Sequence, residues 1–170
     1  TEGDDLWTYL MMYLRTGQQG YLDRARAWAR YFINDYRQCV GSSGTDYCYD
    51  RDAFDMDHIY GWGLVAWYEY TGDTSTLTAA ENLAGDVENY WSHRVNNAYP
   101  TPGQFRMAPY GLRQAGRQLL LVTRVAEATG KVRWIALRDK LIDLWMQSPD
   151  WDSRGMYFGG AGLTDDVIAP

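Results

Sequence analysis

"YLRTGQQGYLDRARAWARYF" at residues 13–32 lines up with "YEYTGDTSTLTAAENLAGDV" at 68–87 and, more loosely, with "AEATGKVRWIALRDKLIDLW" at 126–145. Each segment carries Thr-Gly at the same point, as Thr16-Gly17, Thr71-Gly72 and Thr129-Gly130, and each has an aliphatic residue five positions after the glycine (Leu22, Leu77, Ile135). Later apolar positions coincide as well: Ala29, Ala84 and Ile142, then Phe32, Val87 and Trp145. Self-similarity of this kind marks a repeat architecture, here with three copies. On both sides of Thr-Gly the apolar residues recur at helical spacing. In the first copy they are Leu6, Tyr9, Leu10, Tyr13 and Leu14 before the turn, and Leu22, Ala25, Ala29, Ile33 and Tyr36 after it. Each copy therefore reads as a helical hairpin. The glycine supplies the left-handed position that ends the first helix, and Asp73 with Thr74 is placed to cap the second helix of its pair.

The two helices of a pair differ in polarity. The first is the more apolar all round ("LWTYLMMYL", "IYGWGLVAWY", "LRQAGRQLLLV"), whereas the second carries a charged stripe ("DRARAWAR", "RDKLIDLW"). A helix apolar on every side is buried and a striped one faces water, which predicts an inner and an outer set. The expected fold class is all-α, a single domain over 1–170 with hairpins at about 4–36, 56–92 and 109–147 and a C-terminal loop at 148–170. The turns inside the hairpins are short. The links between hairpins run from 38 to 56, from 93 to 109 and from 148 onward, well beyond the usual ~4–6 residues, and all must leave the same end of the helices. Any chemistry is expected on that end.

Composition narrows the partners. At 46% hydrophobic the chain can build a core, and no apolar run approaches the roughly 18 residues of a membrane span. A net charge of -6 without a basic run argues against nucleic acid. Of the 16 basic residues 14 are arginine, whose planar fork suits bidentate binding of carboxylates. Eight Trp and 14 Tyr are more than a small core needs, and such rings stack against sugar faces in clefts. Cys39 and Cys48 flank a short flexible stretch that a disulfide closes easily, which points to an oxidising, extracellular or periplasmic compartment; two free thiols are the other reading. The chain begins with Thr1 rather than Met, so removal of a leader or an upstream segment is expected.

The segment "DMDHIYGWGLVAWYEYTGD" at 55–73 resembles the inner helix and turn of secreted polysaccharide lyases of the rhamnogalacturonan-lyase and alginate-lyase kind. Likewise, "DDLWTYLMMYLRTGQQGYLDRA" at 4–25 is similar to the inner-helix segment of unsaturated glucuronyl and rhamnogalacturonyl hydrolases. The resemblance implies an (α/α) toroid, in which hairpins form a barrel of inner and outer helices with the cleft on the long-loop face. Such toroids usually close with about six hairpins, so three imply half a toroid, a truncated sequence or an open array that meets a partner. It also implies a tyrosine or histidine that takes the C5 proton of a uronate. His58 and Tyr60 stand where the first long link enters the second inner helix, and Asp5 stands where the hydrolases that this resembles place an acid. The structural reading of His58 is that it caps or braces the helix start through Asp55 or Asp57, and helix-start electrostatics explain Asp4 and Asp5 without chemistry.

Arg106 and Arg113 are candidates for a uronate clamp near the loop end. Arg113, Arg117 and Arg124 share a helix face, and pairing to carboxylates on neighbouring helices is their structural reading. Trp62, Tyr49, Tyr110 and Trp151 are candidates for sugar stacking. The acidic stretch "YDRDAFDMDH" at 49–58 lacks the Gly and Glu of an EF-hand. It reads as a solvated rim without a bound cofactor, with calcium on Asp50, Asp52 and Asp55 as the secondary reading. Two functions follow. One is a secreted polysaccharide lyase or glycoside hydrolase acting on acidic glycans. The alternative is a non-catalytic glycan-binding or self-assembling extracellular subunit, whose partners are the rest of its toroid or other subunits.

Overall fold

The computed structural model describes residues 2–38, 61–92 and 112–147. Among the described residues the chain is all-α, with six helices and no strand: α1 (Glu2–Thr16), α2 (Gln19–Gln38), α3 (Trp62–Thr71), α4 (Thr74–Ser92), α5 (Leu112–Thr129) and α6 (Val132–Met146). None of these helices is long and apolar enough to cross a membrane.

The three turns are built alike, down to their hydrogen bonds. Gly17, Gly72 and Gly130 have φ of 68°, 74° and 63°. Their amides donate to the carbonyl four residues back, Tyr13, Tyr68 and Ala126, at 2.7, 2.7 and 2.8 Å. The preceding threonine clasps each turn from both sides. Its hydroxyl donates to the carbonyls of Met12, Trp67 and Val125 at 2.7 Å in every copy. The same oxygen accepts from the amides of Gln18, Asp73 and Lys131 at 3.2, 3.2 and 3.3 Å. One side chain thus satisfies a terminal carbonyl of the helix that ends and an amide of the chain that turns back. At the second turn Asp73 also caps α4, its carboxylate accepting from the Ser75 amide at 3.0 Å.

Each hairpin cannot bury its apolar side alone, so the hairpins stack. Helix α1 lies against α3 and α3 against α5, forming one layer. In the second layer α2 lies against α4, and α6 joins α4 through Lys131–Glu81 and Arg133–Glu88. A single core runs between the layers, with Leu6, Leu10, Leu64, Leu83, Leu121 and Trp91 fully buried. Burial of each such side chain contributes about 1.5–3 kcal/mol. Tyr13 and Tyr70 meet edge-on at 5.9 Å across the first junction, and their hydrogen bond, with desolvation adding to it, holds the Tyr70 hydroxyl above the usual tyrosine range.

The expectation that every first helix is buried on all sides holds for α3, where five consecutive residues from Gly63 to Trp67 are buried. It fails for α1, which exposes Trp7 and Leu14, and for α5, which exposes Leu120. The reason is position: α3 has a same-layer neighbour on both sides. For the same reason α4 is more deeply buried than a water-facing outer helix, with Ala79, Ala80, Leu83, Ala84, Asp86 and Val87 all covered.

Gly61, just before α3, is the closest approach in the core. A Cβ there would lie 2.7 Å from Leu83 Cδ1 and 2.8 Å from Leu121 Cδ1, both on fully buried side chains with little room to yield. Gly61→Ala is expected to cost about 1–3 kcal/mol in urea unfolding. Thr71→Val, which keeps the shape and removes both clasp hydrogen bonds, is expected to cost about 1–2 kcal/mol, with Thr71→Ser recovering most of it. Equal stability of the valine and serine variants would refute the role given to the hydroxyl.

Candidate functional site

Because the helices alternate in direction, the first turns of α1, α3 and α5 share one end of the stack with the last turns of α2, α4 and α6. This is the end from which the long links leave, and the described residues give it an aromatic pair. Trp7 and Trp62 meet with ring centroids 5.0 Å apart and planes tilted by 51°, so they form an angled ledge rather than a flat platform. Trp7 is 38% exposed. The Trp62 indole N–H is buried and has no hydrogen-bond partner among the described residues.

A polar contact lies inside the core. Trp91 Nε1 donates to Gln118 Oε1 at 2.9 Å, and Trp91 meets Trp145 edge-on at 6.0 Å. Gln118 is completely buried, and its amide nitrogen has no partner among the described residues. The planar amide and the two indoles tie the last turns of α4 and α6 to the N-terminal half of α5.

Of the residues singled out in the sequence, the structure brings Asp5, Trp62 and Arg113 to this one end. Asp5, half-buried, lies in the first turn of α1, Trp62 opens α3, and Arg113 lies in the first turn of α5. His58, Tyr60, Tyr49, Arg106, Tyr110, Trp151, the aspartates Asp50, Asp52 and Asp55, and the cysteines Cys39 and Cys48 lie outside the described residues. Among the described residues no group of three His, Cys, Asp or Glu side chains could hold a metal ion. Trp7 is the residue that sequence reasoning missed, because it was counted among the buried positions of an apolar helix. The repeat held the signal: nine positions ahead of Thr-Gly stand Trp7, Trp62 and Leu120, and Trp7 and Leu120 are both exposed.

Arg124 takes the structural reading. Its guanidinium pairs with Glu69 of α3 at 2.5 Å and with Glu127 at 3.4 Å, towards the turn end and away from the ledge. Both partners of the main pair are more than a third exposed, so the interaction contributes less than about 1 kcal/mol. Arg124→Met is accordingly expected to shift the unfolding free energy by no more than about 1 kcal/mol and to leave ligand affinity at the ledge unchanged. A loss of affinity in a titration of that variant would move the clamp to this arginine. Comparison of the chain with protein-family models, with curated proteins and with solved structures finds no match.

Proposed function

We propose that this chain is a secreted carbohydrate-active protein of the (α/α) toroid type, a polysaccharide lyase or glycoside hydrolase that binds acidic, uronate-bearing glycan across the long-link end of its helix stack. The observation that carries this reading is the Trp7–Trp62 ledge, with its exposed ring and a buried indole donor that has no partner among the described residues. A pyranose presents an apolar face of C–H groups to an aromatic ring, which the exposed Trp7 indole face matches. Arg113 opens α5 at the same end and supplies the positive charge that a uronate carboxylate requires.

In a lyase the reaction would run by β-elimination. Arg113 and Arg106 bind the carboxylate, which acidifies the adjacent C5–H, and Tyr60 or His58 removes that proton. The electron pair forms the C4–C5 double bond as the C4–O bond breaks, and the leaving oxygen takes up a proton. In a hydrolase Asp5 would protonate the leaving oxygen while a water attacks the anomeric carbon. The Cys39–Cys48 pairing and an extracellular or periplasmic location belong to the same reading.

The test is a panel of uronate polymers incubated with the protein and followed by ultraviolet absorbance of the unsaturated product and by reducing-end formation. Turnover of one member is expected, abolished in Tyr60→Phe or His58→Ala. In Trp7→Ala the affinity is expected to fall about tenfold, as loss of one stacking ring implies. Binding that is unaffected by Trp7→Ala would remove the ledge from the site, and absence of both binding and turnover across the panel would sink the reading.

A further inference from the structure

The two junctions inside the stack use corresponding positions and fill them differently. On the second helix of a pair, the positions 10, 13, 14 and 17 residues after the turn threonine face the following hairpin. In α4 they are Glu81, Ala84, Gly85 and Glu88, and in α2 they are Arg26, Ala29, Arg30 and Ile33. At the second junction this side of α4 is closed by Trp134 of α6, which is 3% exposed. Its indole nitrogen donates to Glu81 at 2.8 Å, and its ring lies 4.0 Å from where a Cβ of Gly85 would stand. The Arg133 guanidinium covers the ring, 4.3 Å from its centre.

Trp134 stands five residues after its turn threonine, and the residue five after Thr71 is Thr76. The first junction therefore has a threonine where the second has an indole. The Thr76 hydroxyl turns back to the Asp73 carbonyl at 2.6 Å and reaches no further. Although α2 lies against α4, the helices do not close the space. A pocket of about 250 Å³ remains on the same four positions of α2, Arg26, Ala29, Arg30 and Ile33, and it extends to Trp67 of α3 and to Asp73. It lies between the first and second hairpins. Its size falls below the ~300–1,000 Å³ of sites for drug-sized ligands, so it suits a small one.

The lining says which. Ala29 and Trp67 are buried and Ile33 is half-buried, which gives the slot an apolar wall. Two guanidiniums and one carboxylate border it. The carboxylate is committed, because Asp73 Oδ1 accepts from the Ser75 amide and hydroxyl at 3.0 and 2.6 Å. Arg26 is shared with Asp23 at 3.0 Å. Arg30 makes no hydrogen bond or ion pair among the described residues. The slot thus combines ring-sized apolar space with a planar cation whose donors are available to a carboxylate.

We propose that this slot binds a small aromatic carboxylate. The flat ring enters at the place equivalent to that of Trp134 in the next junction, and the carboxylate pairs with Arg30, with Arg26 beside it. An anion without an apolar ring gains nothing from the wall, and a neutral ring leaves the guanidinium without its charged partner. The pocket reaches the turn at Asp73, at the opposite end of α3 from Trp62. The inference therefore does not rest on the glycan reading, and the two fail separately.

The experiment is calorimetric titration of the 170-residue chain with indole-3-acetate as the probe. Binding is expected at one site with a Kd below about 1 mM, at least about tenfold tighter than indole-3-acetamide or galacturonate. The amide keeps the ring without the charge, and galacturonate keeps the charge on a hydroxylated ring. Arg30→Gln, at an exposed position, is expected to weaken indole-3-acetate about tenfold and to leave the amide unchanged. Ile33→Trp places a ring of the protein's own in the slot and is expected to abolish binding. Thermal melts matching the parent chain establish that the variants fold, and where Ile33→Trp melts lower, Arg30→Gln decides alone. Trp7→Ala is expected to change nothing. No heat of binding up to about 10 mM probe overturns the proposal. So does an amide or galacturonate bound as tightly as the acid, or binding that a folded slot variant leaves intact. Loss of binding in Trp7→Ala overturns it too, by moving the probe to the ledge.

Discussion

The structure depends on a threonine hydroxyl used three times. In each turn that hydroxyl holds a carbonyl of the helix behind it and an amide of the strand of chain ahead, while the glycine beside it takes a conformation that other residues adopt only under strain. The angle and offset between the two helices of a hairpin are therefore set locally, by atoms within a few residues of one another. With all three hairpins fixed to one shape, a residue's distance from its threonine tells which neighbour it meets. The burial of Leu83 and Leu141, the half-burial of Trp28 and the exposure of Ile142 are all consequences of that common frame.

Within the frame, position in the stack decides environment more than the polarity of the sequence does. The sequence pattern assigns first helices to the inside and second helices to the outside, yet α4, with an acidic residue buried at Asp86, is more enclosed than α1 or α5. The junctions between hairpins are also individually marked. Glu81 and Glu88 bind Lys131, Trp134 and Arg133 at the second junction, whereas Arg26 and Arg30 share a pocket with Trp67 and Asp73 at the first. The acidic and basic sides are exchanged between the two junctions, which keeps like-charged flanks from pairing out of order.

Much of this was legible in the sequence, and the reasons are specific. Thr-Gly at three corresponding points located the turns, because glycine's freedom at positive φ has few substitutes. Helical spacing of apolar residues made the chain all-α. The threonine's part was not read, since a hydroxyl that bridges two backbone groups leaves no periodic trace. The exposure of Trp7, Leu120 and Ile142 was not read either, because an apolar residue at helical spacing looks the same whether or not a neighbour covers it. At the ledge, Trp62 and Asp5 came from resemblance and position, and Trp7 became visible only when its indole was found against that of Trp62.

The middle hairpin has a consequence for how the molecule assembles. Helix α3 is ten residues long and lacks a polar face, and an isolated helix of that length is marginal in water even with a favourable sequence. The α1–α2 and α5–α6 pairs are amphipathic, and their contacts are mostly close in sequence, so they can form early and at low entropic cost. The central pair gains its stability only once it is sandwiched. Packed between the two flanking pairs, it couples them, so the chain is expected to melt as one unit rather than peel away hairpin by hairpin.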